Sequence, residues 1–341
     1  MNQEFAEYIK SHIREYLPED YQDANVTLEE ITKGNDRTLT GLMIRNDGET
    51  IAPSIYLEPY EAQFEKGRPL DSIMREIAQI KMDNSIDLPF NAEGIKDYET
   101  VKPLLHIRLC DPERNQEYLK GKPYTPCGDL VATYCVQVME SDNGVASAAV
   151  TNELLKIWGI TRDQLHQDTV MAENARNPVR FYSMEDVMSE IMFSTEPTNL
   201  FDRSEPVDTE LTPMYVLTNK SKINGAGMLA LDGVLDKIGK LVGSDFYVLP
   251  SSIHEVLIVP DNGQMRASEL EDMVKSINAS KVAPKDLLSD KVQFYDREAK
   301  TLGRKQEKGL LERLAENKAQ VKETAAKMPE ERHTAKREPS L

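Results

Sequence analysis

At 341 residues the chain can fill one large domain or two of ordinary size with a tail to spare, and 40% apolar against 29% charged residues is a soluble composition. Its formal net charge of −17 weighs against nucleic-acid binding by the body of the chain, because an acidic surface repels phosphate backbones. No apolar run approaches the roughly 18 to 20 residues that cross a bilayer. The opening Asn2-Gln-Glu-Phe-Ala-Glu-Tyr8 has neither the basic nor the apolar region of a secretory signal, so a cytoplasmic protein without membrane contact is expected.

The charge is unevenly spread. From Lys300 to Leu341 there are 11 Lys and Arg against 7 Asp and Glu, a net of +4, which leaves −21 on residues 1–299. A basic protein partner suits such a body, and nucleic acid is expected only through the tail. Cys110, Cys127 and Cys135 show no Cys-x-x-Cys spacing and read as structural thiols. No metal site and no cofactor is expected.

In chain order, Phe5, Tyr8, Ile9, His12, Ile13 and Tyr16 follow helical spacing up to Pro18. Two β-type runs, Val26 to Ile31 and Thr38 to Arg45, flank a Gly-Asn-Asp turn. Both faces of the second are largely apolar, as in a strand covered on both sides. From Glu58 to about Asn84 the pattern is helical, with Ile73, Ile77 and Ile80 on one face. Pro89 to Pro103 reads as irregular, and Leu104 to Leu109 as a strand that carries His106 on its polar face.

Leu130 to Met139 is the strongest strand signal of the first half, and Val145 to Val150 should pair with it across a turn at Asp142-Asn-Gly144. Thr151 opens a helix that Gly159 stops, and Thr161-x-x-Gln164 is a capping box opening another, on which His166 lies off the apolar stripe. A third helix holds Val187, Met188 and Ile191, and a polar, acidic, proline-containing loop runs from Thr195 to Pro213.

Met214 to Thr218, then Asn224-Gly-Ala-Gly227, then a helix with Leu231, Leu235, Ile238 and Leu241 give the order strand, glycine turn, helix. Such an order can cradle phosphate at a helix N-terminus. Here the third glycine of the dinucleotide motif and the Gly-Lys-Ser/Thr ending of a phosphate loop are both missing, so the turn is expected to dock the helix on a sheet.

Phe246 to Leu249 and Glu255 to Val259 read as a hairpin joined by Pro-Ser-Ser-Ile-His. Ser268-x-x-Glu271 has capping-box spacing, and the stripe Leu270, Met273, Val274, Ile277 should lie on the hairpin. The candidate catalytic residues are Ser252, His254 and Glu255, because they are reactive types gathered in one loop. Ser251, Ser252 and His254 are the candidates for ligand or partner binding. Neighbours in an extended strand point to opposite faces, so Ser252 and His254 could share a substrate while His254 and Glu255 could not. No Gly-x-Ser-x-Gly elbow occurs, and Ile258 stands where a metalloprotease helix would need its second histidine.

Gly243 to Pro260, Leu270 to Asn278, Leu288-Ser-Asp290, Leu57-Glu-Pro-Tyr60 and the block from Trp158-Gly-Ile-Thr161 to Asn174 resemble an uncharacterised family of anaerobic Firmicutes, a domain of unknown function often encoded near mobile elements. The resemblance spans roughly residues 1–300 and implies neither an activity nor catalytic residues. An α+β fold is expected, with mixed or antiparallel sheets, packed helices and a charged helical or disordered C-terminal tail. The expected parts are 1–125, 126–299 with the 245–260 hairpin, and 300–341. The reading points away from an enzyme, toward an accessory or regulatory protein with a macromolecular partner. Its alternatives are a hydrolase-like enzyme using Ser252 and His254, and a nucleic-acid accessory factor acting through the tail.

Overall fold

The structure, a computed structural model, describes residues 1–46, 52–83, 94–141, 144–210 and 213–305. The tail expected to be helical or disordered lies outside the described residues from 306 onward, as does part of the turn at Asp142 and Asn143.

Helix α1 (Gln3–His12) is capped by Asn2, whose side chain accepts from the Glu4 N–H, and buries Phe5, Ala6 and Ile9 before tightening into a 3-10 turn that buries Ile13. Strands β1 (Asn25–Lys33) and β2 (Arg37–Arg45) pair antiparallel with Val26 opposite Ile44, and β3 (Ile55–Tyr56) adds to β2. Leu42 and Ile44 are buried while Met43 is half-buried, so one face of β2 meets the core rather than both equally. Helices α2 (Glu58–Glu65) and α3 (Leu70–Asp83) complete this part, and α3 buries Ile73, Met74, Ile77 and Ala78 as its 3.6-residue spacing dictates.

Helix α4 (Tyr98–Val101) precedes a sheet of β4 (Leu105–Cys110), β5 (Tyr124–Cys127), β6 (Leu130–Ser141) and β7 (Gly144–Ala149). The long β6 pairs antiparallel with all three others. Helix α5 (Asn152–Trp158) ends at Gly159 with φ 66°, and α6 (Arg162–Arg176) starts at once, its Gln164 N–H received by the Thr161 hydroxyl. After β8 (Val179–Ser183) come α7 (Met184–Phe193), β9 (Tyr215–Asn219) and α8 (Val234–Val242). The chain continues through β10 (Phe246–Leu249), β11 (Val256–Pro260), α9 (Ala267–Ser280), β12 (Gln293–Asp296) and β13 (Thr301–Gly303).

These last strands form an antiparallel sheet in the order β13-β12-β10-β11-β9-β8. The expected hairpin is its centre, with Phe246 opposite Pro260 and Leu249 opposite Leu257. Its side chains alternate between two cores: Phe246 and Val248 join the largest apolar cluster, whereas Tyr247 and Leu249 join a smaller one that α9 covers with Leu270 and Val274. Burial on both faces is why the sequence reads there as a continuous apolar run. Met273 and Ile277, the other half of the expected α9 stripe, are exposed. The backbone contact that opens α9 lies two residues before the expected box, where Glu269 accepts the Arg266 N–H.

The apolar clusters divide between residues 82 and 95, and β5 joins its neighbours within the later one. Between the two parts stands the β1–β2 turn. Asn35, at φ 60°, donates from Nδ2 to the carbonyls of Pro284 and Leu287 and from its backbone to Asn115 Oδ1, while the Asp36 carboxylate receives the Glu117 and Tyr118 amides. The fold is α+β.

Candidate functional site

The β10–β11 connection is held by main chain. Residues 286–289 run against it: Ile253 N donates to Asp286 O, Leu288 N to Ser251 O and Ser289 N to Pro250 O. Ser252, 7% exposed, uses its hydroxyl to accept the His254 N–H at 3.0 Å, a local serine turn. The His254 ring accepts the Asn224 N–H on Nδ1 and therefore carries its proton on Nε2, which donates to Asp286 Oδ1, both at 3.3 Å. The structure thus brings a carboxylate from a distant segment to His254. It also engages both ring nitrogens and turns the Ser252 hydroxyl to backbone rather than imidazole, whereas an activated nucleophile needs hydroxyl and base bonded to each other. Ser251 and Glu255 are half-buried, and neither cavity described below includes any of these residues.

The glycine turn sits directly beneath. Gly225, Ala226 and Gly227 form a buried 3-10 turn, and a Cβ on Gly225 would collide with the His254 carbonyl and the Thr218 hydroxyl, which bond to each other at 2.8 Å. A Cβ on Gly227 would press on the Ile107 main chain. These glycines permit backbone to pack on backbone.

His106 is not on a solvated face: it is 3% exposed and meets the Glu173 carboxylate, itself fully buried. β4 is an edge strand, and α6 closes it with side chains, Glu173 accepting the Ile107 N–H at 2.9 Å and Arg176 donating to the Leu105 carbonyl at 2.7 Å. The two side chains supply what a neighbouring strand would, so the edge offers no template for pairing.

A cavity of about 700 Å³ opens between α4, the α5–α6 junction and α6. Its floor is Asp168, 1% exposed, which accepts from Tyr98 and Gln164 and has Lys102 Nζ 3.1 Å away. Burial alone would raise this carboxyl, but the three donors outweigh it and hold it below the ordinary range, while burial and then the bond to Asp168 push the Tyr98 hydroxyl up. The deep carboxylate is therefore already compensated from within. Among the described residues no cluster of His, Cys, Asp or Glu is arranged to hold a metal ion.

Among the described residues helix α7 differs from the other long helices: none of its ten residues is buried. Met188 is 51%, Ile191 78%, Met192 59% and Phe193 74% exposed. The expected helix is present, but its Met188 and Ile191 face solvent. Ser183 caps the helix through the Asp186 N–H, and the Ser194 N–H closes it onto Glu190 O, so the helix is well terminated while its apolar side is left open. Residues 184–210 carry eight Asp and Glu against a single Arg203, and among the described residues Glu190 is the one acidic residue of α7 paired with a cation, Lys222. One ten-residue helix thus exposes four large apolar side chains on an acidic ground.

Taken together, an antiparallel six-stranded sheet buried on both faces, a smaller sheet whose edge α6 seals and an acidic helix with exposed apolar side chains define an α+β protein. The chain belongs to DUF5688, a family of unknown function whose model matches residues 2–297. No curated protein and no solved structure matched the chain. Among the described residues no helix is long and apolar enough to cross a membrane.

Proposed function

We propose that the protein is an accessory or regulatory binding protein that docks a basic amphipathic helix of a partner protein on α7. The observation that carries this reading is the exposure of Met188, Ile191, Met192 and Phe193 on a helix that buries nothing. Methionine suits such a role because its unbranched thioether adapts to the partner's shape. Covering a side chain of this size contributes about 1.5–3 kcal/mol, so four of them supply enough for micromolar affinity after the costs of association. The surrounding carboxylates select a cationic partner and speed encounter with it.

The test is fluorescence anisotropy of the full chain with a labelled 18-residue Leu/Lys peptide of helical amphipathic pattern. Saturable binding is expected, with Ile191→Ser/Phe193→Ser weakening it at least about tenfold and a Leu/Glu peptide of the same pattern binding at least about tenfold more weakly. Equal affinity for the two peptides, or a double variant that binds as the parent does, overturns the proposal.

A further inference from the structure

A second cavity of about 350 Å³ lies between β5, α6, the 229–236 segment and the β12–β13 hairpin. Pro126, Leu229, Leu235 and Leu302 contribute apolar wall, and the polar side chains that line it are Thr125, His166, Asp232, Asp236, Tyr295 and Lys300. This volume falls at the lower end of the range of small-molecule sites, where an apolar wall fixes the body of a ligand and a few polar groups orient it.

The imidazole is set in place from behind. Its Nδ1 bonds to the Tyr134 hydroxyl at 3.0 Å, and that hydroxyl bonds in turn to Thr125 Oγ1 at 2.5 Å, with the Tyr134 ring 2% exposed in the core. Nε2 has no hydrogen-bond partner among the described residues. Because both hydroxyls can rotate, the relay has two directions. When Nδ1–H donates to Tyr134 and Tyr134 to Thr125, Nε2 presents its lone pair; when Thr125 donates to Tyr134 and Tyr134 to Nδ1, Nε2 carries the hydrogen. Burial holds the His166 imidazole below its ordinary range, with Asp232 and Asp163 acting against that shift and Arg162 with it, so the ring is neutral at neutral pH.

The charges of the cavity decide what it would take. Asp236 is engaged, receiving the Tyr295 hydroxyl and lying 3.4 Å from Lys300 Nζ, which neutralises both Asp236 and that lysine. Asp232 lines the same cavity, is exposed and has neither a hydrogen bond nor an ion pair among the described residues. The uncompensated charge is therefore negative and stands beside a neutral imidazole with a free nitrogen. An anion would meet repulsion there, whereas an ammonium group would gain a charge-assisted contact with Asp232 that a neutral molecule lacks.

We infer that this cavity binds a small organic ammonium compound with an apolar body, its ammonium group held between Asp232 and His166 Nε2 and its body laid on Leu229, Leu235 and Leu302. His166 accepts one ammonium hydrogen in the relay direction that frees its lone pair, and Tyr134 and Thr125 are the positioning residues that make this direction available. The inference is independent of the docking proposal, since no residue of α7 lines this cavity.

The experiment is a titration of the full chain, followed through its imidazole carbon–proton resonances, with tryptamine as the probe and with indole-3-ethanol and indole-3-acetate as neutral and anionic probes of the same shape. The His166 signal is identified by its absence in His166→Gln. Tryptamine is expected to shift that signal saturably, indole-3-ethanol to bind at least about tenfold more weakly and indole-3-acetate not to bind. Asp232→Asn, an exposed position whose change leaves the fold intact, should weaken tryptamine binding about tenfold, the loss of one charge-assisted contact. No shift at His166 with tryptamine, the same affinity for all three compounds, or an unchanged affinity in Asp232→Asn overturns the inference.

Discussion

Replacing Glu173 by Ala should be among the most damaging single changes in the chain. The residue is fully buried; its Oε1 receives the Ile107 N–H at 2.9 Å and meets His106 Nδ1. Truncation leaves a backbone donor of an edge strand without an acceptor, which costs about 1–3 kcal/mol, and deprives a buried histidine of its partner. Removing one member of a buried pair typically costs about 3–5 kcal/mol, and that is the size expected here. Glu173→Gln keeps a carbonyl oxygen for the Ile107 N–H and loses only the charge facing His106, so it should cost about 1–2 kcal/mol. Urea unfolding followed by circular dichroism measures both, and amide hydrogen exchange at Ile107 should accelerate in Glu173→Ala and much less in Glu173→Gln. A loss below about 1 kcal/mol in the alanine variant would show that α6 does not seal β4 in the way described, as would equal losses in the two variants.

Two further outcomes follow from the interior. All three cysteines are free and buried, and burial pushes the Cys110 and Cys127 thiols up to about 12 and raises that of Cys135, so none is a thiolate at neutral pH; a chromogenic disulfide reagent should titrate no thiol in the native protein and three in urea, and rapid native labelling would contradict this. Gly225→Ala forces a methyl group against the His254 carbonyl and the Thr218 hydroxyl, so overpacking of about 1–3 kcal/mol is expected in the same unfolding assay, and a neutral result would mean that the 3-10 turn is free to move.

Much of the fold was legible because its cores are built from local periodicity. The 3.6-residue spacing of Ile73 and Ile77, the two apolar runs around Pro250 and the stop at Gly159 each map onto an observed element. What the sequence could not carry was the partner of each face. His106 alternates with apolar residues and so reads as solvated, yet its neighbour is Glu173 on a helix that only the folded chain brings alongside. Met188 and Ile191 sit at helical spacing, but periodicity states that a helix has an apolar side and not that anything covers it. The Ser251–Glu255 loop drew notice through its residue types; its actual bonds, from His254 to Asp286 and Asn224, join segments about 30 residues apart in either direction and leave no trace in local pattern. His166 lies off its helix's apolar stripe and reads as solvated for the same reason, since the Tyr134 hydroxyl that orients it comes from β6.

The claim that α7 is a docking surface for a basic helix is tested most directly by hydrogen–deuterium exchange of the full chain with and without the Leu/Lys peptide. Added protection should be confined to Met184–Phe193 and the acidic residues that follow it, with exchange in the β10–β11 hairpin unchanged, because the hairpin is buried on both faces and has nothing to offer a partner. Protection that falls elsewhere on the surface while α7 exchanges as before would contradict the account.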